Sequence, residues 1–206
     1  MTGRLGAVCS LIESAETVAD VGCDHGLVAK YCIENALCKQ MIAADISERC
    51  LDKARAILEP FENVEYMCCD GIRFECDEAI IAGMGGLLIS EILRKASRLP
   101  KTLVLCPHRN PDSVRRTLVD LGYIIERDGI CKERNKFYFV MRAKPGGGQA
   151  LDGQQYRFGV YYAEDCEALD EYLSNLYNTY MRAPIRNREE LDAVRAAISV
   201  RNASHK

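Results

Sequence analysis

Asp20, Gly22, Asp24 and Gly26 stand at alternate positions in Val18-Ala19-Asp20-Val21-Gly22-Cys23-Asp24-His25-Gly26, where a short apolar run gives way to a turn. In an open α/β sheet a ligand binds beyond the carboxyl ends of the strands, so a small-residue turn after a first strand is where a nucleotide cofactor sits. A pyrophosphate would need a free helix amino terminus, and an aspartate in the turn repels an anion. The turn therefore argues against a dinucleotide and for a cofactor with cationic sulfonium and amino groups; a plain strand-to-helix turn is the alternative. Asp45 ends the next apolar run, 25 residues after Asp20, where a carboxylate accepts both hydroxyls of a ribose or else caps a helix. Asp70-Gly71 ends a third run, where an acid can accept from an adenine amino group and a glycine leaves the ring room. Ile81-Ala82-Gly83-Met84-Gly85-Gly86 follows a fourth, facing the reactive end of such a cofactor, and its glycines let a planar base come close to the backbone.

Alternating strands and helices have to hold these residues. Residues 17–22 read as a strand and 27–37 as the helix after its turn. Residues 41–45 are a second strand, and Ser47 is placed to cap a helix reaching Leu58, with Leu51, Ala54 and Leu58 on one face. Residues 64–69 and 79–82 read as the third and fourth strands, 87–96 as a helix, and Thr102–Cys106 as a fifth strand. Pro111 suits a first helical turn, and residues 113–121 carry that helix to a stop at Gly122. Residues 123–127 and 136–142 read as antiparallel strands joined through 128–135. The order predicts an α/β fold, a Rossmann-like parallel sheet covered on both faces and closed by a hairpin, which is the strand plan of class I methyltransferases.

Pro145-Gly146-Gly147-Gly148 reads as a linker, since three glycines have little reason to be ordered. It separates a domain over residues 1–145 from a helical one over 149–206. In the latter Tyr161, Tyr162, Leu169, Leu173, Leu176 and Tyr180 recur at helical spacing, Pro184 interrupts, and residues 188–200 form a second helix. A helical hairpin is predicted.

The chain of 206 residues is 48% hydrophobic and 28% charged, a soluble globular composition long enough to bury a core. No run approaches the roughly 18 apolar residues of a membrane span, and the start shows no secretory signal, so a cytoplasmic protein is expected. Its eleven cysteines lie in apolar segments such as Val8-Cys9, Leu105-Cys106 and Ile130-Cys131, which fits buried reduced thiols. With no Cys-x-x-Cys pair and three scattered histidines, no metal site is expected. The net charge of −3 hides an asymmetry: residues 1–86 carry 7 basic and 15 acidic side chains, 87–144 carry 13 and 6, and 145–206 carry 7 and 9. Such a chain can present one basic face to phosphates, or spread these charges over solvated helices.

Gly22-Cys23-Asp24-His25, Asp70-Gly71 and Ile81-Ala82-Gly83-Met84-Gly85-Gly86, in that order, resemble the bacterial tRNA (adenine-22-N1)-methyltransferase family, and Arg4-Leu5 fits as well. The resemblance covers about residues 4–144. It implies a Rossmann-like domain followed by a helical coiled-coil domain, S-adenosyl-L-methionine as cofactor and tRNA as partner. By position, Asp20, Gly22, Asp24, His25, Asp45, Ile46, Asp70, Gly71 and Gly83 are implied to hold the cofactor. The segment from Gly83 through Met84 and Gly85 to Gly86, with Pro107, His108, Arg109 and Tyr138, is implied to border the base. Two segments depart from the family: Cys106-Pro107-His108 replaces a Gln-Pro-Asn segment, and Arg134-Asn135-Lys136 replaces an Asp-Gly-Lys turn. The tail is also expected to be shorter than the family's.

No Asn/Asp-Pro-Pro-aromatic turn follows the fourth strand, which disfavours an exocyclic amine as the methyl acceptor. The N1 atom of neutral adenine has an in-plane lone pair and needs no general base, so no catalytic residue is assigned; alignment and exclusion of water are the expected work. Tyr31, His108 and Tyr138 are candidates to support an extruded base, and Arg94, Lys95, Arg98, Arg109, Arg115 and Arg116 to contact phosphates. Still open are the nucleotide modified, a different RNA or a small molecule as acceptor, a non-catalytic cofactor-binding module, and the oligomeric state.

Overall fold

Strand segments that are apolar at both parities must be covered on both faces, and the chain supplies helices between them for that purpose. A computed structural model describes residues 2–183 and 185–204. Along the chain run α1 (Gly3–Cys9), β1 (Ala15–Val21), α2 (Leu27–Glu34), β2 (Cys38–Asp45), α3 (Glu48–Leu58), β3 (Val64–Cys68), β4 (Glu78–Ala82), α4 (Gly86–Lys95), β5 (Thr102–Cys106), α5 (Pro111–Asp120), β6 (Tyr123–Glu133), β7 (Lys136–Pro145), α6 (Gly153–Phe158), α7 (Glu167–Met181) and α8 (Arg188–Ser204). The seven strands form one sheet in the order β3-β2-β1-β4-β5-β7-β6. The first five are parallel, and β7 runs antiparallel to both β5 and β6. Because β1 pairs with β2 on one side and β4 on the other, the connection reverses at β1, and the crevice for a ligand opens at its carboxyl end.

Residue parity distributes the core. Val18, Met41, Ala43, Ile80 and Val104 face Val8, Val28, Cys32, Leu51 and Leu58 of α1–α3. The alternate residues Ala19, Val21, Ile42, Ile81, Leu103 and Leu105 face Ile89 and Leu93 of α4 and Val114 and Leu118 of α5. Phe158, Leu169, Leu173, Val194 and Ala197 of the three last helices belong to this second core.

Several local expectations need correction. Helix α2 stops at Glu34, and Ala36 takes a positive φ of 53° that no helix continues through. Ser47 occupies the N-cap of α3, but its side chain makes no capping bond; its own N–H is instead held by Asp45 Oδ1 at 2.9 Å. The hairpin loop is not residues 128–135: β6 and β7 pair as far as Glu133 and Lys136, leaving Arg134-Asn135 as the turn. Asp128 reads as a loop residue because it is charged, yet its carboxylate is buried against Arg115. The glycine run is held in place, since the N–H groups of Gly146 and Gly147 donate to Gly122 O at 3.0 and 2.9 Å. A Cβ on Gly146 would lie 2.5 Å from Ile124, so close passage of the chain explains a glycine there. Tyr161 and Tyr162 lie in turns between α6 and α7 rather than on a helix. Pro184 lies outside the described residues. Among the described residues no cysteine forms a disulfide; Cys9, Cys23, Cys32, Cys38 and Cys106 are buried, whereas Cys68 is exposed and the rest are partly so. Helix α1, which the sequence did not signal, docks through Val8 and Cys9.

Candidate active site

The carboxyl ends of β1, β2, β4 and β5, with the start of α1, border a cleft of about 430 Å³. Its walls include Asp20, Gly22, Asp24, His25 and Asp45 from the β1 and β2 side and Arg4, Gly83, Met84 and His108 from the side of α1, β4 and β5, with the Met84 side chain reaching across to Gly22. Asp20 lies on the α2 side of the sheet, buried, with its Oδ2 accepting from Ala29 N–H at 3.2 Å. Burial pushes its carboxyl up to about 7; the Ala29 bond opposes this and the charge of Asp45 adds to it. Gly22 has φ +76°, and a Cβ there would meet Met84 Cε at 2.1 Å. The turn is tied to β2 by Gly22 and Cys23 N–H groups donating to Ala44 O at 2.8 and 3.1 Å.

Asp24 occupies the middle glycine position of the pattern with a φ of 44°, a left-handed conformation that aspartate tolerates better than most side chains. Its carboxylate meets Lys53 Nζ at 2.7 Å and His25 Nε2 at 3.6 Å. The Lys53 bond, reinforced by His25, holds its pKa below the usual carboxylate range. Asp45 Oδ1 accepts from Ser47 N–H at 2.9 Å and Oδ2 from Asp24 N–H at 3.3 Å, which fixes the carboxylate at the rim. Ile46 beside it is 70% exposed, an apolar surface suited to the face of a heteroaromatic ring. Cys69 N–H donates to Asp45 O at 3.0 Å and so sets Asp70 and Gly71 next to this rim, outside the cleft walls proper.

On the other side the turns after β4 and β5 are stitched together: His108 N–H donates to Met84 O, and Gly86 N–H to Arg109 O, both at 2.8 Å. Gly86 is buried, and a Cβ there would lie 2.2 Å from Asn110 O, so the close approach it permits is to the chain itself; at Gly85 a Cβ would meet nothing within 4 Å. Gly86→Ala should therefore cost about 1–3 kcal/mol through forced backbone shifts, whereas Gly85→Ala should be tolerated; thermal unfolding of the two variants checks the contrast. Pro107 is buried, Arg109 is exposed, and neither lines the cleft. Tyr138 lies behind His108, ring centroids 5.5 Å apart. Tyr31 is packed against the α1–α3 core and is not in the cleft. Arg115 is fully buried, which removes it from the set of phosphate contacts. Arg94, Lys95 and Arg98 are exposed and paired with Asp120, Glu91 and Glu75. Sequence reasoning gave no role to Arg4 and missed Leu27, Val28 and Lys53, which no spacing signals; only the resemblance touched Arg4.

Among the described residues no group of three His, Cys, Asp or Glu side chains is arranged to hold a metal, and no helix is long and apolar enough to cross a membrane. The strand order, the reversal at β1 and an acid-lined cleft at the strand ends define a Rossmann-like fold of the class I methyltransferase type. A methyltransferase-domain family model matches residues 1–141, and the chain belongs to that family. The Bacillus subtilis tRNA (adenine(22)-N(1))-methyltransferase is 28% identical over 171 residues, covering 78% of this chain and 72% of that protein. A Streptococcus pneumoniae protein solved in complex with S-adenosyl-L-methionine has a TM-score of 0.87 and 25% identity, over 96% of this chain and 98% of the other. M. capricolum TrmK, solved with S-adenosyl-homocysteine, has a TM-score of 0.88 at 21% identity, over 97% and 98% of the two chains.

Proposed function

We propose that the protein transfers the methyl group of S-adenosyl-L-methionine to N1 of an adenine in tRNA. What carries this is one cleft lined by the carboxylates of Asp20, Asp24 and Asp45 from the β1 and β2 side and by the Met84 and His108 turns from the β4 and β5 side. The acidic end fits the cofactor: a buried carboxyl raised to about 7 gains from a cation beside it, and Gly22 makes room next to it for the flexible Met84 side chain. When bound, the cofactor supplies an electrophilic methyl carbon. Asp45, already fixed by two N–H groups, would accept from the ribose hydroxyls, Ile46 and Gly71 would border the adenine, and Asp70 would accept from its amino group. Asp20 would face the cationic groups, and Gly83 would leave room beside Arg4. Met84, Gly85, His108 and Tyr138 would border the target base. Since the attacking lone pair needs no base, these residues work by alignment and exclusion of water.

The partner follows from charge around the His108 end. Arg109, Arg134 and Lys136 are exposed, and both Arg4 and Lys136 act electrostatically on His108. A phosphate backbone laid there would bind in a salt-sensitive way. Residues 1–145 would serve as the catalytic unit and 149–206 as a helical unit braced on α5, working in the cytoplasm where tRNA is found. The Bacillus subtilis relative, named for adenine 22, makes position 22 the first to map. Transfer of labelled methyl to unmodified bulk tRNA, followed by nucleoside analysis, should yield 1-methyladenine. A folded, cofactor-binding protein that labels no tRNA would defeat the proposal.

A further inference from the structure

Helix α1 brings one cation into the cleft from the far end of the sequence. Arg4 Nη1–H donates to His108 Nε2 at 2.7 Å. The same guanidinium lies 5.5 Å from the centroid of the Tyr138 ring, and the His108 and Tyr138 rings meet edge-on at 64°. Arg4 is itself anchored, because its backbone N–H donates to Glu133 Oε1 at 3.2 Å. Gly3 makes that anchor possible, since a Cβ there would sit 2.4 Å from the same oxygen. The turn after β4, the turn after β5 and the β6–β7 hairpin thus converge on one side chain beside Gly83, Met84 and His108.

A guanidinium has donors and no acceptor, so the bond requires the lone pair of His108 on Nε2 and its proton on Nδ1. Burial, with Arg4 and Lys136 nearby, also lowers the His108 pKa, in keeping with a neutral ring. We propose that Arg4 is a positioning residue for the methyl acceptor: by holding His108 in one tautomer and one orientation against Tyr138, it sets the wall on which the target adenine rests. This rests on the reaction proposed above and assigns a role to a residue to which the resemblance gave none.

The experiment uses the full chain with Arg4→Ala, Arg4→Lys, His108→Ala and the Arg4→Ala/His108→Ala pair. Cofactor affinity is read by calorimetry, and kcat and KM are read from methyl transfer to bulk tRNA. Arg4→Ala should lower kcat by about ten- to a hundredfold, the scale of a misplaced reactant, with cofactor affinity unchanged and little change in KM. His108→Ala should lose a similar factor, and the pair should lose no more than either alone, because one residue acts through the other. Arg4→Lys, which keeps the charge and serves if the alanine variant does not fold, should restore little, since a point charge does not replace the planar fork. Multiplying losses in the pair, an effect on KM alone that lysine restores, or an unaltered kcat would overturn the assignment while leaving the reaction standing. A wild-type protein inert on tRNA would instead overturn the reaction, and the assignment with it.

Discussion

Asp128→Ala is expected to destabilise the protein by about 3–5 kcal/mol, the usual penalty for stripping the partner from a buried ion. Arg115 Nε and Nη2 donate to the two Asp128 oxygens at 2.7 and 2.9 Å, and neither side chain is exposed to solvent. Arg115 Nη1 also donates to Tyr156 O at 2.9 Å, and its guanidinium covers the Phe139 ring at 4.5 Å. Val160 N–H donates to Asp128 Oδ2 at 2.8 Å. One pair therefore joins α5, the β6–β7 hairpin and the chain around α6. Removing the carboxylate leaves a charge in a place water cannot reach. Urea unfolding followed by circular dichroism measures the loss, which corresponds to a Tm lower by about 10 °C for a chain of this size. The double change Arg115→Met with Asp128→Leu should recover part of it, since matched apolar groups avoid the desolvation cost. A loss below about 1 kcal/mol in the single variant would mean that the pair is solvated and no anchor.

The same pair shows where sequence reading stops. Strands β1 to β5 were legible because each is an apolar run of the right length, and the doubly covered sheet follows from their alternation with helices. The meeting place of their terminal residues was legible too, since topology opens a crevice at the carboxyl ends, and Asp20, Asp24 and Asp45 line one cleft there. Asp128 and Gly129 imitate a loop in composition, and nothing local reveals that Arg115 neutralises the former inside the fold. The glycines at 146–148 imitate a flexible linker for the same reason: the two bonds to Gly122 that hold the first two are tertiary. Arg4 carries no local signal, because its meaning comes from α1 being clamped at Glu133 and aimed at a histidine 104 residues away. Spacing also overestimated the glycines after β4: four of the residues there were read as one surface for a base, whereas Gly86 is consumed by packing against Asn110.

The largest pH effect is expected at Asp20. Its carboxyl, ordinarily at 3.8, is raised to about 7 in the folded chain, first by burial and then by the charge of Asp45, with the Ala29 N–H opposing. Between those two values the folded protein keeps a proton that the unfolded chain has released. Folding stability without cofactor should therefore fall as pH rises from about 4 to about 7, by up to about 1.4 kcal/mol per unit, and level off above that. Asp20→Asn should remove the Asp20 share of this slope, leaving the smaller share of Glu78, which burial also raises. A cation bound beside Asp20 reverses the preference, because it favours the ionised carboxyl; cofactor binding at pH 6 should then release a proton, and affinity should climb by up to about tenfold per unit toward pH 7. Calorimetry at pH 6 in two buffers of different ionisation enthalpy counts the proton directly. The Asn variant serves as the reference, since the cofactor's own titration is common to both proteins and cancels in the difference. Proton release that is equal in the two proteins would mean that the bound cation does not face Asp20, and the acidic end of the cleft would then be held to its ligand by Asp45 and its neighbours alone.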